Sequence, residues 1–129
     1  MNKSFSETLQ LCPELALCFE DFHNAVWQQS RVPIAILEMC RLRIAQLLSA
    51  KLDLSVRHAA AAASLSEQKI SELPVYHQSA GFSALEKACI EVAECFAMDP
   101  AAISDAMAAS VIAELGDAGY VALLEACGV

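Results

Sequence analysis

The segment that begins at Pro33 constrains the fold more than any other part of the chain. From Ile34 to about Ser49 nearly every side of the expected helix is apolar, and Pro33 suits its first turn because the missing N–H needs no partner there. A helix that is apolar around its circumference has to be buried among other helices. Glu38, Arg41 and Arg43 interrupt it, and charges in such a helix need partners. The sequence therefore predicts a helical bundle with this segment at its centre.

Composition and breakers favour an all-α fold in one domain. Ala, the strongest helix former, occupies 24 of the 129 positions, and there is a single Thr. That length suits one domain spanning 1–129, and no stretch resembles a linker. Ser66, Ser83 and Asp99-Pro100 act as caps or breakers that divide the chain into seven or eight helices, some very short. We expect the fourth helix to begin between positions 50 and 53 and to run through the alanines at 59–63.

The charge balance excludes several classes of partner. Sixteen acidic residues against eight basic ones give a formal net charge of −8. Nucleic acids and anionic membranes bind cationic patches, so we expect neither as a partner. The sequence has no apolar run of about 18 residues and no apolar secretion signal, which favours a cytoplasmic protein. Apolar residues make up 57% of the chain, so we expect part of the surface to face a partner subunit.

The cysteines and histidines form no recognisable metal or cofactor pattern, and we expect neither a metal nor a cofactor. None of the six cysteines belongs to a Cys-x-x-Cys pair, which favours buried thiols in a reducing cytosol. Cys127 is the one that we expect to be most exposed. Glu20-x-x-His23 forms half of a di-iron signature, but the sequence contains no second Glu-x-x-His.

Three segments, in their order along the chain, resemble the carboxymuconolactone decarboxylase family, which includes the alkylhydroperoxidase D (AhpD)-like proteins. They are PELALCFEDFHNAVW at 13–27, EMCRLRIAQL at 38–47 and SVRHAAAA at 55–62, with a looser match in FSALEKACIEVAE at 82–94. The resemblance implies an AhpD-like helical bundle with a hairpin of the third and fourth helices at its core. It also implies a homo-oligomer, either a dimer or a trimer of dimers.

The most specific element of that family is a spaced motif: Glu, eleven residues, Cys-x-x-Cys, three residues, His. In AhpD-like peroxidases the Glu and His activate the second Cys, peroxide oxidises it, and the first Cys resolves it as a disulfide. Counted from Glu38, the two Cys positions hold Ala50 and Asp53, and the His position holds Arg57. Taking His58 as the His supplies no thiol either. The family's peroxidase cycle therefore lacks both of its cysteines here.

Glu38, Asp53, Arg57 and the neighbouring His58 are the candidate site residues, and two interpretations of them stay open. In the first, Asp53 caps its helix or pairs with Arg57 four residues on, and the group is structural. In the second, Glu38, Asp53 and Arg57 line a polar pocket that moves a proton or holds a small polar ligand, with Arg57 suited to an anionic group. His58 should point about 100° away from Arg57, at the helix surface or an interface.

Two hypotheses for function follow. In the first, the protein is a divergent member of the family without thiol peroxidase activity, and acts as a small-molecule-binding or structural oligomer. In the second, it is an enzyme of the family kind. That enzyme is either a peroxidase that uses another cysteine, such as Cys40, or a thiol-free acid–base catalyst resembling the lactone decarboxylases.

Overall fold

The computed structural model describes residues 5–128, and over that range the chain is helical without strands. The prediction of an all-α bundle is confirmed. The α-helices are Phe5–Leu9 (α1), Pro13–Gln28 (α2), Ile34–Leu47 (α3), Lys51–Ser55 (α4), Glu67–Ser71 (α5), Ala84–Met98 (α6) and Asp105–Gly128 (α7). Short 3₁₀ turns occupy Ala59–Ala61, Leu73–Val75 and Pro100–Ala102.

Helix α3 lies at the centre of the bundle, as its apolar circumference predicts. It packs against α6, α7 and α4, and half of its length is buried. The core is centred on α3 and α6 rather than on the α3–α4 hairpin that the resemblance implies, because α4 has only five residues. The buried residues of α3 are Ile36, Leu37, Glu38, Met39, Cys40, Leu42 and Ala45.

The capping signals in the sequence act as expected. Pro13 occupies the first turn of α2, where no N–H is needed. The Ser66 hydroxyl accepts a hydrogen bond from the backbone N–H of Lys69 at 3.2 Å, and the Ser83 hydroxyl accepts one from Glu86 at 3.1 Å. Each serine satisfies an N–H that a helix start leaves unpaired. These caps begin α5 and α6 where the sequence predicts them.

Helix α4 is shorter than the sequence predicts, and the predicted continuation through 59–63 is wrong. It ends at Ser55, after which Val56 is extended (φ −99°, ψ 144°). The Arg41 guanidinium donates hydrogen bonds to the backbone carbonyl oxygens of Asp53 and Val56 at 3.0 and 2.7 Å. Because a side chain from α3 satisfies these carbonyls, the helix can end here despite the alanines that follow. Arg57 consequently lies outside the helix that contains Asp53.

Helix α7 bends at Gly116. The sequence predicts that Gly116 stops a helix, and the residue indeed leaves the helical conformation, with φ 74° and ψ 173°. Only glycine adopts this backbone region without strain. Buried residues on both sides of the bend, Val111 and Leu123, keep the two halves on the bundle. In the described part of the chain, α7 is the one helix that is long and apolar enough to cross a membrane, by length and composition alone.

Candidate functional site

Glu38 is the one charged residue in the described core. Its side chain is 1% exposed, and both carboxylate oxygens have partners. Oε1 lies 2.5 Å from Arg41 Nε, one helical turn along α3, and Oε2 accepts the backbone N–H of His58 at 2.6 Å. The carboxylate therefore ties the central helix to the extended segment after α4.

Arg41 completes this connection from the same face of α3. Its three guanidinium nitrogens donate to the Glu38 carboxylate and to the backbone oxygens of Asp53 and Val56. The geometry fixes the guanidinium on all three sides. The sequence identifies Arg41 as a charge that needs a partner. Its spacing of three residues from Glu38 indicates that Glu38 is that partner.

A cavity of about 260 Å³ lies beside Arg41, between α2, α3, α4 and the last turns of α7. We call it the Arg41 cavity. Most of its wall is apolar, and the charged side chains that line it are Arg41 and Asp53. Ala50 and Asp53, the residues that the sequence resemblance aligns with the two motif cysteines, both border it. Its lining residues are His23, Trp27, Leu37, Cys40, Arg41, Ile44, Ala45, Leu48, Ala50, Asp53, Ala126 and Cys127.

A second cavity, of about 190 Å³, lies on the other side of Glu38, and we call it the Arg57 cavity. Glu38, Arg57 and His58 border it together with Ala62 and other residues of the following segment. Glu38 thus contacts one cavity through its own side chain and the other through Arg41. The four candidate residues do gather in one region, but around two cavities: Asp53 borders the first, and Arg57 and His58 border the second.

Arg57 does not pair with Asp53, and that alternative from the sequence is wrong. Its Nε and Nη2 donate to the two carboxylate oxygens of Glu67 at 2.9 and 3.1 Å. Its Nη1 donates to the backbone oxygens of Leu54 and Val56. The reason is the early end of α4, which places Arg57 in an extended segment facing α5. Glu67 is 71% exposed, so this ion pair lies at the surface.

His58 is half-buried and does not lie on a helix surface, in contrast to the prediction. Its imidazole stacks on the indole of Trp27, with ring centroids 4.1 Å apart and planes 13° apart. The Nδ1 atom is buried without a hydrogen-bond partner. Trp27 lines the Arg41 cavity and His58 lines the Arg57 cavity, so the stacked rings border both.

The thiols in this region are poor nucleophiles. Burial, followed by the proximity of Cys127 and Cys89, raises the pKa of Cys40 well above its ordinary value. Burial, followed by the proximity of Cys89, raises the pKa of Cys127 to about 12. Thiolate, the reactive form, is therefore scarce at neutral pH. The prediction that Cys127 is the most exposed cysteine is wrong, because Cys127 packs against the hydrophobic core; Cys18 on α2 is exposed instead.

Among residues 5–128 no group of three or more His, Cys, Asp or Glu side chains is placed to hold a metal ion. No family model, curated protein or solved structure matches the chain. The resemblance to the carboxymuconolactone decarboxylase family therefore rests on the quoted segments and stays a prediction.

Proposed function

We propose that the protein is a divergent, cytoplasmic member of the AhpD-like family that binds a small molecule in the Arg41 cavity and lacks thiol peroxidase activity. One observation carries the proposal: the residues at the two cysteine positions of the motif, Ala50 and Asp53, border a cavity beside a fixed guanidinium. A position that served thiol chemistry in relatives would here serve as the wall of a binding site.

The shape and lining of the Arg41 cavity suit a small ligand. Ligand sites are concave and mostly apolar, with a few polar groups that fix orientation. Trp27, Leu37 and Ile44 supply apolar wall, while Arg41 and His23 supply hydrogen-bonding groups. An apolar cavity of about 150 Å³ accommodates benzene. The Arg41 cavity, at about 260 Å³, has room for one ring with a short substituent.

The enzymatic alternatives fit this geometry less well. Both thiols that border the cavity, Cys40 and Cys127, have raised pKa values and little thiolate at neutral pH. Glu38, the remaining member of the family motif, engages both carboxylate oxygens and is 1% exposed. A general base needs a lone pair within reach of the substrate proton. These contacts favour binding over either kind of catalysis.

Binding is testable through Trp27, the only tryptophan of the chain, which lines the cavity. Three ring compounds of equal size serve as probes: cyclohexyl methyl ketone, cyclohexanecarboxylate and 1-cyclohexylethylammonium. We expect at least one to bind by calorimetry and to change the Trp27 fluorescence. Ala50→Leu should fill the cavity and weaken that binding roughly tenfold or more. Ala62→Leu, in the wall of the Arg57 cavity, is the matched control and should leave it unchanged.

Absence of binding by all three probes would contradict the proposed function. Equal loss of binding in Ala50→Leu and Ala62→Leu would show either that the binding is not specific to the Arg41 cavity or that both variants are misfolded. Circular dichroism of each variant separates these two outcomes. Consumption of an organic hydroperoxide with a dithiol donor, abolished by Cys40→Ala, would restore the peroxidase hypothesis.

We also infer a homo-oligomer, with the outer face of α1 and α2 as the interface between subunits. Phe5, Leu11, Leu15 and Phe22, from α1, α2 and the turn between them, each expose between 43% and 69% of their surface, and exposed apolar side chains support a contact with a second copy. Light scattering should give a mass at least twice the 13.8 kDa of one chain. Leu15→Lys should lower the mass to that of one chain, whereas Val75→Lys, another exposed apolar position, should not. A monomer in the unmodified protein would contradict the inference.

A further inference from the structure

The guanidinium of Arg41 enters the Arg41 cavity with its charge already compensated. Its Nε lies 2.5 Å from the buried carboxylate of Glu38, so the pair as a whole carries no net charge. If the same guanidinium also bound a ligand carboxylate, two anions would lie next to one cation. In a site of low polarity, uncompensated charge is costly.

Arg41 still offers hydrogen bonds. A guanidinium has five N–H donors. Three of them have partners, namely Glu38 Oε1 and the backbone oxygens of Asp53 and Val56, which leaves two without a partner among residues 5–128. An uncharged acceptor satisfies such donors without adding charge.

Asp53 adds a negative charge to the lining of the same cavity. Its side chain is exposed and forms no ion pair in the described part of the chain, whereas its backbone oxygen accepts from Arg41. Counting Arg41, Glu38 behind it and Asp53 gives a local charge of −1. The whole chain carries −8. An incoming anion is therefore repelled both at the site and at longer range.

We propose that the Arg41 cavity selects uncharged, mostly apolar molecules that carry one hydrogen-bond acceptor, such as a ketone, ester or amide oxygen, and rejects carboxylates of the same size. The ligand's acceptor oxygen accepts hydrogen bonds from the unpaired N–H groups of Arg41. The apolar part of the ligand packs on Trp27, Leu37 and Ile44. This inference rests on the proposed function and names the ligand class for it. It differs from the sequence-based expectation of an anionic ligand at Arg57, because Glu67 already neutralises that side chain.

The three probes introduced above test the ligand class, because they share one ring and differ in the charge of the substituent. Calorimetry at pH 8, above the usual titration range of histidine, gives a dissociation constant for each. We expect the ketone to bind roughly tenfold or more tightly than the carboxylate. A carboxylate or an ammonium that binds more tightly than the ketone, with its binding lost in Ala50→Leu, would overturn the inference while leaving the proposed function intact.

Asp53→Asn tests the contribution of the Asp53 charge directly. The substitution removes the charge and keeps the backbone oxygen that Arg41 uses, so the guanidinium should stay in place. We expect the affinity for the carboxylate to rise roughly twofold to fivefold, the range of an exposed charge interaction, and the affinity for the ketone to stay unchanged. Asp105→Asn, at the start of α7, is the control for net charge and should change neither. An equal rise for both probes, or no rise for the carboxylate, would contradict the assigned role of Asp53.

Discussion

Helix α3 carries two arginine–glutamate pairs, and they differ in what surrounds them. Glu38 and Arg41 lie on the side facing α4, with a cavity on each side of the pair. Arg43 reaches Glu94 of α6 at 2.9 Å, and the buried hydroxyl of Tyr76 donates to the other oxygen of Glu94. Tyr76 is 1% exposed and fills the space next to this second pair.

The difference shows that a charge pair in a buried helix does not by itself mark a site. In both pairs each carboxylate oxygen has a hydrogen-bond partner, and both pairs connect α3 to another element. The first pair lines the Arg41 and Arg57 cavities, where the guanidinium keeps N–H donors to offer, whereas Arg43 and Glu94 line neither of these two cavities. The second is a closed connection between α3 and α6. The comparison therefore predicts a binding role for one pair and a purely structural role for the other.

The largest expected effect comes from breaking each pair in turn. Glu38→Gln leaves Arg41 without a counter-charge beside the core, and we expect it to lower the free energy of unfolding by about 3 kcal/mol. Glu94 is 22% exposed, so water compensates part of the loss, and Glu94→Gln should cost about 1–2 kcal/mol. Urea denaturation measures both. Equal losses would mean that burial does not distinguish the two pairs.

A smaller effect is expected at the second pair, Arg43 and Glu94, where Tyr76 should make the stability depend on pH. Burial, followed by the hydrogen bond to Glu94, raises the pKa of Tyr76 above its ordinary value of about 10. The unfolded chain therefore loses this proton near pH 10 while the folded chain retains it, and stability falls as the pH rises above that point. Between pH 9 and 11 the free energy of unfolding of the unmodified protein should fall by about 1 kcal/mol more than that of Tyr76→Phe. Parallel pH profiles of the two proteins would contradict this assignment.

The smallest effect is expected at the surface pair of Arg57 and Glu67. The sequence resemblance aligns Arg57 with the histidine of the family motif, but its partner, Glu67, is 71% exposed. Glu67→Gln should change the free energy of unfolding by at most about 0.5–1 kcal/mol, and less in 1 M salt, because solvent screens such pairs. A loss as large as that of Glu38→Gln would place Arg57 in the same buried network as Glu38.

The sequence predicts the parts of this fold that depend on local patterns. The apolar circumference of α3 and the serines before α5 and α6 are local signals, and they predict burial and helix starts correctly. The end of α4 is not local: five alanines favour continuation, and a hydrogen bond from Arg41 overrides them. That error also explains the wrong pairing of Arg57 with Asp53.

The site follows the same division. Glu38 and Asp53 are identified by motif spacing, and both border or support the cavities. The partnership of Arg41 with Glu38 is within reach of the sequence, since a spacing of three places them on one face. The cavities themselves cannot be predicted from the sequence, because their volume depends on where α4 ends and on how α7 packs against α3. The stacking of Trp27 on His58 likewise depends on two segments 31 positions apart.

The bend at Gly116 has a consequence for how this protein tolerates change. A straight helix of 24 residues would extend about 36 Å, and its second half would diverge from the bundle. The bend instead directs Ala126 and Cys127 toward the Arg41 cavity, where they form one wall. No neighbouring atom lies within 4 Å of a Cβ added at Gly116, so space does not restrict this residue; its backbone conformation does. The wall that Ala126 and Cys127 form thus depends on the backbone dihedral angles of Gly116, 10 and 11 residues away, at a position that does not line the cavity.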